Sequence, residues 1–257
     1  MGMDWASRLG LPVASLAGGK AIPKTVIVSQ GGLTKAEEKL LRQYSRLEHI
    51  ATVQRATARI APVSDAEHEI GSVIFLGCEL AGAGGFGELA SVLHKVFPNP
   101  VVLLFGEPGG RVGVSASIKR RSLAEKGAVV VERTEMARLF DPDAPAYSDY
   151  LDDIRHGALP QSDLLAYVTA VCDRTMKASA IGSVGEYPRC KDADTQKLMD
   201  MLGRLKETQT GINVLRTRYR DRETTLAESS RLRMELKGKE RELDALTDEI
   251  RTLCNKQ

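Results

Sequence analysis

At 257 residues the chain is long enough for one sizeable domain and an accessory element. Apolar residues at 42% and charged residues at 27% exclude a disordered chain, and a formal charge of +2 demands no polyanionic partner. Aromatic residues at 5% are too few for a single-strand binder built from stacking platforms.

Cys78, Cys172, Cys190 and Cys254 are scattered without a CxxC pair, which argues against a zinc site and a disulfide framework. No apolar run reaches signal-peptide or membrane-spanning length, so the expected location is the cytoplasm, with no membrane contact.

A small, Gly-rich leader ends in Gly18-Gly19-Lys20, with Trp5 and Leu11 as anchors. Thr34 followed by Glu37 has the capping-box spacing, and Leu33, Leu40, Leu41, Tyr44 and Leu47 predict a helix through Leu47. A strand is expected over 50–60. The apolar run Ser72–Leu80 predicts a central strand covered on both faces. A helix over 88–97 is stopped by Pro98 and Pro100. Val101–Phe105 and Val112–Ile118 flank Glu107-Pro108-Gly109-Gly110 and read as a β-hairpin. In its second strand Val112, Val114, Ala116 and Ile118 are assigned to the core, and Ser115, Ser117 and Lys119 to solvent. A strand over 128–131 and a short helix ending near Phe140 complete this part.

From Asp141 the composition changes. Asp141-Pro142-Asp143 with Pro145 reads as a linker, followed by helices near 148–155 and after a cap at Ser162 or Asp163. The second carries Leu164, Leu165, Val168, Val171, Cys172 and Met176 on one face. A Gly/Ser/Pro break over 182–188 precedes a charged tail. There Leu198, Met201, Leu205, Ile212, Leu215, Tyr219 and Leu226 step by three and four, interrupted by polar Thr208 and Arg222. After Ser229 the phase slips, and Leu232, Leu236, Leu243, Leu246, Ile250 and Leu253 form a second seam. One rod and a hairpin folded at Ser229-Ser230 both fit. The expected fold class is α+β: a mixed, mostly antiparallel sheet with flanking helices, then a helical region and a C-terminal coiled coil. The boundaries are 1–140, 141–190 and 191–257. The interaction seam is assigned to Leu205, Ile212, Leu215, Leu243, Leu246, Ile250 and Leu253.

Pro23-Lys24 after the small-residue leader, ATVQRATARIAPVSDAEHEIGSVIFLGCEL, PNPVVLLFGEPGGRVGVSASIKR and the tail ETTLAESSRLRMELKGKERELDAL resemble the bacterial domain-of-unknown-function family 4391. The resemblance covers nearly the whole chain and rests on the order of elements. It implies an accessory subunit encoded beside a helicase and a DNA methyltransferase in restriction-like or phage-defence islands.

Candidate chemistry is sparse. Gly82-Ala83-Gly84-Gly85-Phe86-Gly87 is a literal GxGxxG between a strand and a helix, with Glu107 about 20 residues on. The next strand enters an antiparallel hairpin, so no doubly wound sheet is assembled and a strand-to-helix loop is the favoured reading. Asp65 and Glu79 match two positions of a restriction-type nuclease, but Ala81 stands where its lysine belongs. His68, between Glu67 and Glu69, lacks metal-ligand spacing. No catalytic residue, metal or cofactor is assigned.

Arg111, Lys119, Arg120, Arg121, Lys126 and Arg133 form the densest basic cluster, either a phosphate-contacting surface or a charged edge that blocks aggregation. Arg216, Arg218, Arg220 and Arg222 divide between opposite helix faces. Two functions follow. The first is a non-catalytic adaptor that binds a helicase or DNA methyltransferase and self-associates through the coiled coil. The second is a DNA-binding module or a degenerate nuclease using Asp65 and Glu79.

Overall fold

The computed structural model describes residues 3–125, 127–220 and 225–254. In chain order they form α1 (Trp5–Arg8), β1 (Leu16–Ala21), α2 (Lys24–Gly31), α3 (Lys35–Leu40), β2 (Tyr44–Gln54), α4 (Arg55–Ala58), β3 (Val63–Ser64), β4 (Glu69–Ile70), β5 (Ser72–Leu80), α5 (Gly87–Val96), β6 (Val101–Gly106), β7 (Val112–Arg121) and β8 (Val129–Phe140). Helices α6 (Pro145–Asp153), α7 (Leu164–Ser179), α8 (Ile181–Val184), α9 (Thr195–Tyr219) and α10 (Leu226–Cys254) follow. None of the described helices is long and apolar enough to cross a membrane. The chain divides into two compact units, Met1–Ser179 and Ala180–Gln257. The first ends beyond the expected boundary at residue 140 because α7 packs across β7 and β8.

The first unit is built on a six-stranded sheet of order β1-β2-β5-β6-β7-β8. Only β5 and β6 are parallel; the other neighbours are antiparallel. Leu89, Ala90, Val92 and Leu93 of α5 pack on Leu76, Cys78, Leu80, Val101, Leu103 and Phe105. The alternate residues Val102, Leu104, Val114 and Ala116 point to the other face, where α7 lies, and are fully buried. With a helix on each face, β7 is buried on both. Ser115, Ser117 and Lys119, assigned to solvent from their alternation, are therefore 0%, 0% and 3% exposed.

Three expected elements changed type or length. The capping box at Thr34 is present, with Glu37 Oε2 accepting from the Thr34 amide at 2.8 Å and Thr34 Oγ1 accepting from the Glu37 amide at 3.3 Å. Its helix nevertheless stops at Leu40, and Tyr44 and Leu47 belong to β2. A register shift between Tyr44 and Arg46 brings Tyr44 and Leu47 to one buried side, and a second between His49 and Ala51 turns Ala51, opposite Phe75, to the other. The first bulge thus gives a strand the three-residue step of a helix. The strand expected over 50–60 ends at Gln54 and gives way to α4. A third shift, where Val112 pairs Phe140 and Val114 pairs Ala137, turns the expected 128–131 strand and following helix into one 12-residue β8.

In the second unit α9 and α10 run antiparallel: Arg216 pairs Glu240 at 2.8 Å and Thr208 Oγ1 meets Glu242 at 3.4 Å. Of the two arrangements open from sequence, the tail forms the hairpin. Helix α9 ends at Tyr219 and α10 begins at Leu226, so Ser229-Ser230 fall inside α10; Arg222 lies outside the described residues. Leu205, Ile212, Leu215, Leu246, Ile250 and Leu253 are buried and Leu243 half-buried. This seam is already occupied within the chain and is not a free face for self-association.

Candidate functional site

The only parallel strand pair in the described sheet sets apart one of its ends. Between β5 and α5 the loop Ala81–Gly85 is exposed, whereas Phe86 is buried and stacks on Phe105 with ring centroids 4.0 Å apart. A Cβ on Gly113 would lie 2.5 Å from that Phe86 ring, so the chain itself requires glycine there. Gly82, Gly84 and Gly85 differ: a Cβ on any of them meets nothing within 4 Å, and none is in the left-handed region. Directly beside the loop, Glu79 and Leu80 of β5 join Ser45, Glu107 and Arg111 around a cleft of about 320 Å³. Glu107 opens the tight turn after β6. Its side chain is 3% exposed; one carboxylate oxygen pairs with Arg111 and the other, Oε2, has no hydrogen-bond partner. Glu79, by contrast, is exposed.

Under α5 lies a sealed polar cluster. His94 Nε2 is 2.8 Å from Ser115 Oγ, which donates to the Glu135 carbonyl at 3.1 Å. The serine proton is thereby committed, so His94 donates through Nε2 and leaves Nδ1 a buried acceptor without a partner. Ser115 is consequently an acceptor from this histidine, the reverse of an activated nucleophile. Burial pushes the His94 imidazole down to about 3 and Lys119 down to about 8. Lys119 Nζ donates to the His94 carbonyl. That carbonyl lacks its helical partner because the residue four positions on is Pro98, which has no N–H. Lys119 thus completes the last turn of α5.

At the opposite end β7 and β8 project past β6 as a hairpin. Ser122 Oγ accepts from the amides of Ala124 and Glu125 at 3.2 and 3.1 Å, Ser122 N donates to Ala128 O, and Gly127 takes φ 83°. This turn presents Leu123 at 91% exposure, with Val129 and Val131 at 40% and 37% behind it. Val13 and Met234 are also highly exposed, at 85% and 77%, but outside this hairpin. Sequence reading missed Leu123, Val129 and Val131; the turn-forming Ser122 and Gly127 around a lone leucine were the available signal.

The basic candidates are dispersed. Arg111 pairs with Glu107, Arg121 with Glu69 at 3.2 Å, and Arg133 with Asp173 at 2.6 Å and Glu135 at 3.0 Å. Arg120 donates to the Arg121 carbonyl, and Lys119 is buried in the role just given. Lys126 lies outside the described residues. Strand β7 is interior to the sheet, so these residues form no single basic edge.

The acidic pair is separated as well. Glu79 is opposite Gly106, which pairs with Val112, while Glu67, two residues from Asp65, accepts from Arg121 at the other end of β7. Ten residues of β7 place them roughly 30 Å apart. Asp65 instead caps its own turn, its carboxylate held below its usual range by the His68 and Glu67 amides. His68 bridges Glu132 at 2.9 Å and Asp65 at 3.6 Å, and Cys78 is buried under α5.

The family described as Domain of unknown function (DUF4391) matches residues 9–243 of the 257-residue chain. The chain belongs to this family. No curated protein and no solved structure matches it. Both ends of the sheet lie inside the DUF4391 match, as do α9 and the first two thirds of α10.

Proposed function

We propose that this DUF4391 protein is a cytoplasmic, non-catalytic adaptor subunit of a restriction-like or antiviral defence system. It docks a helicase or DNA methyltransferase of that system through the tip of the β7–β8 hairpin. The single observation carrying the docking surface is Leu123, 91% exposed on a turn held by the Ser122 hydroxyl. Fixing the backbone of the turn before binding lowers the entropy lost on association, and burying Leu123 in a partner's pocket contributes about 1.5–3 kcal/mol. Val129 and Val131 extend the same surface. The identity of the partner rests on the family resemblance.

Direct DNA contact is the competing reading, and the internal pairing of Arg111, Arg121 and Arg133 counts against it. The test uses the full chain with a purified helicase and a purified DNA methyltransferase of the kind the family resemblance implies. A complex that survives from 50 to 300 mM salt and is lost in Leu123→Ser supports the adaptor reading. Failure to bind either protein, or a complex indifferent to Leu123→Ser, overturns it. Duplex DNA binding that collapses over the same salt range establishes the competitor.

A further inference from the structure

We infer that the carboxyl end of the parallel pair β5–β6 is a nucleotide site, taking a ribose and its diphosphate. This goes beyond the adaptor reading and does not depend on it. Strand β5, the glycine loop, α5 and β6 form one βαβ unit with adjacent parallel strands, the local setting in which GxGxxG acquires meaning. The sheet beyond is antiparallel, so the setting is one such unit and not a doubly wound fold.

Each part of the motif has a distinct physical status. Gly87 opens α5, and a Cβ there would lie 3.1 Å from the Met136 methyl, so the third glycine serves close packing. Gly82 and Gly84 are needed neither for backbone conformation nor for space within the chain. Absence of side chains at these positions lets phosphate oxygens approach the loop amides. Phe86 precedes α5 without a side-chain cap, so no side chain of the N-cap takes up the amides of the first turn.

Glu107 supplies the independent observation. It directly follows the second parallel strand, about 20 residues after Gly87, where an acidic residue accepts ribose hydroxyls. It lines the cleft that Glu79 and Leu80 share at the root of the loop, and its Oε2 is buried and unpartnered. A desolvated carboxylate oxygen without a donor is unfavourable, and a ribose hydroxyl supplies one. Arg111 on the other oxygen holds the carboxylate in place. Glu79 and Glu88 add negative charge at this end, so a bare polyanion binds poorly and the sugar contact is needed.

The full chain is titrated calorimetrically with ADP, GDP, CDP and UDP, with inorganic pyrophosphate, and with 2′,3′-dideoxy-ADP. At least one nucleoside diphosphate saturates the protein, and pyrophosphate and the dideoxy compound bind roughly tenfold more weakly or worse. Glu107→Gln binds ADP and dideoxy-ADP alike. Gly84→Val abolishes binding at unchanged Tm, because its side chain enters open space in the free protein. No saturable binding of any of the four diphosphates overturns the site, as does a folded Gly84→Val variant that binds like the parent. A normal preference for the hydroxylated sugar in Glu107→Gln removes Glu107 from it.

Discussion

The two ends of the β5–β6–β7 sheet are made by the same strands and differ in almost every surface property. At the carboxyl end of the parallel pair the surface is concave and acidic, with a buried carboxylate oxygen lacking a donor. At the other end β7 and β8 outrun β6 and carry apolar side chains into solvent on a convex tip. The cause is topological. A parallel pair must be joined by a crossover, so its strand ends face a long loop and a helix N-terminus. An antiparallel pair closes in a short turn, and wherever it outlasts its neighbours it becomes an arm. Recess and arm are therefore consequences of strand direction, and residue chemistry then specialises each.

The largest effect that probes this contrast is at the recessed end. Phe105→Ala removes the ring on which Phe86 stacks and leaves a cavity under the glycine loop, costing about 3–5 kcal/mol by urea denaturation. A loss under about 1 kcal/mol would show that this loop is not anchored from below. Leu123→Ser at the arm makes the opposite prediction and anchors the small end of the series. Its stability change stays within about 0.5 kcal/mol, because the side chain leaves solvent for nothing in the free protein.

Between these lies the polar cluster under α5. His94 is lowered from 6.5 to about 3 when folded, so between those values the unfolded chain binds a proton that the native chain does not. Stability therefore falls as pH falls below about 6.5, with a slope near 1.4 kcal/mol per pH unit from this residue. His94→Gln should flatten the curve from pH 6 to 4 by about that slope. An unchanged slope, read by denaturation across the range, would place the acid sensitivity in other groups.

Much of the sheet was legible because its strongest signals are local. The run Ser72–Leu80 became β5 residue for residue, and the Glu107–Gly110 turn joined its two strands where expected. Asp163 does cap α7, accepting from the Ala166 amide at 2.8 Å. The failures share one physical origin. Bulges at Tyr44, His49 and Ala137 shift the side-chain phase of β2 and β8, so strands acquire helical spacing that periodicity cannot unmask. The recess was half legible: the glycine loop and Glu107 were visible, but their adjacency depends on β5 and β6 lying side by side. The basic cluster illustrates the converse. Arg133 and Lys119 are close in sequence, yet one reaches Asp173 on α7 while the other turns beneath α5.

Strand β8 ends the sheet, and its 12 residues would otherwise be a long template for pairing with the same strand of another molecule. Two register shifts distort its ladder, and Arg133 and Glu135 turn toward α7, where Asp173 holds the arginine. A neighbouring chain docking along this edge would meet an uneven hydrogen-bond row with fixed charges beside it. The same feature that concealed β8 from periodicity thus disfavours edge-to-edge pairing between copies of the sheet.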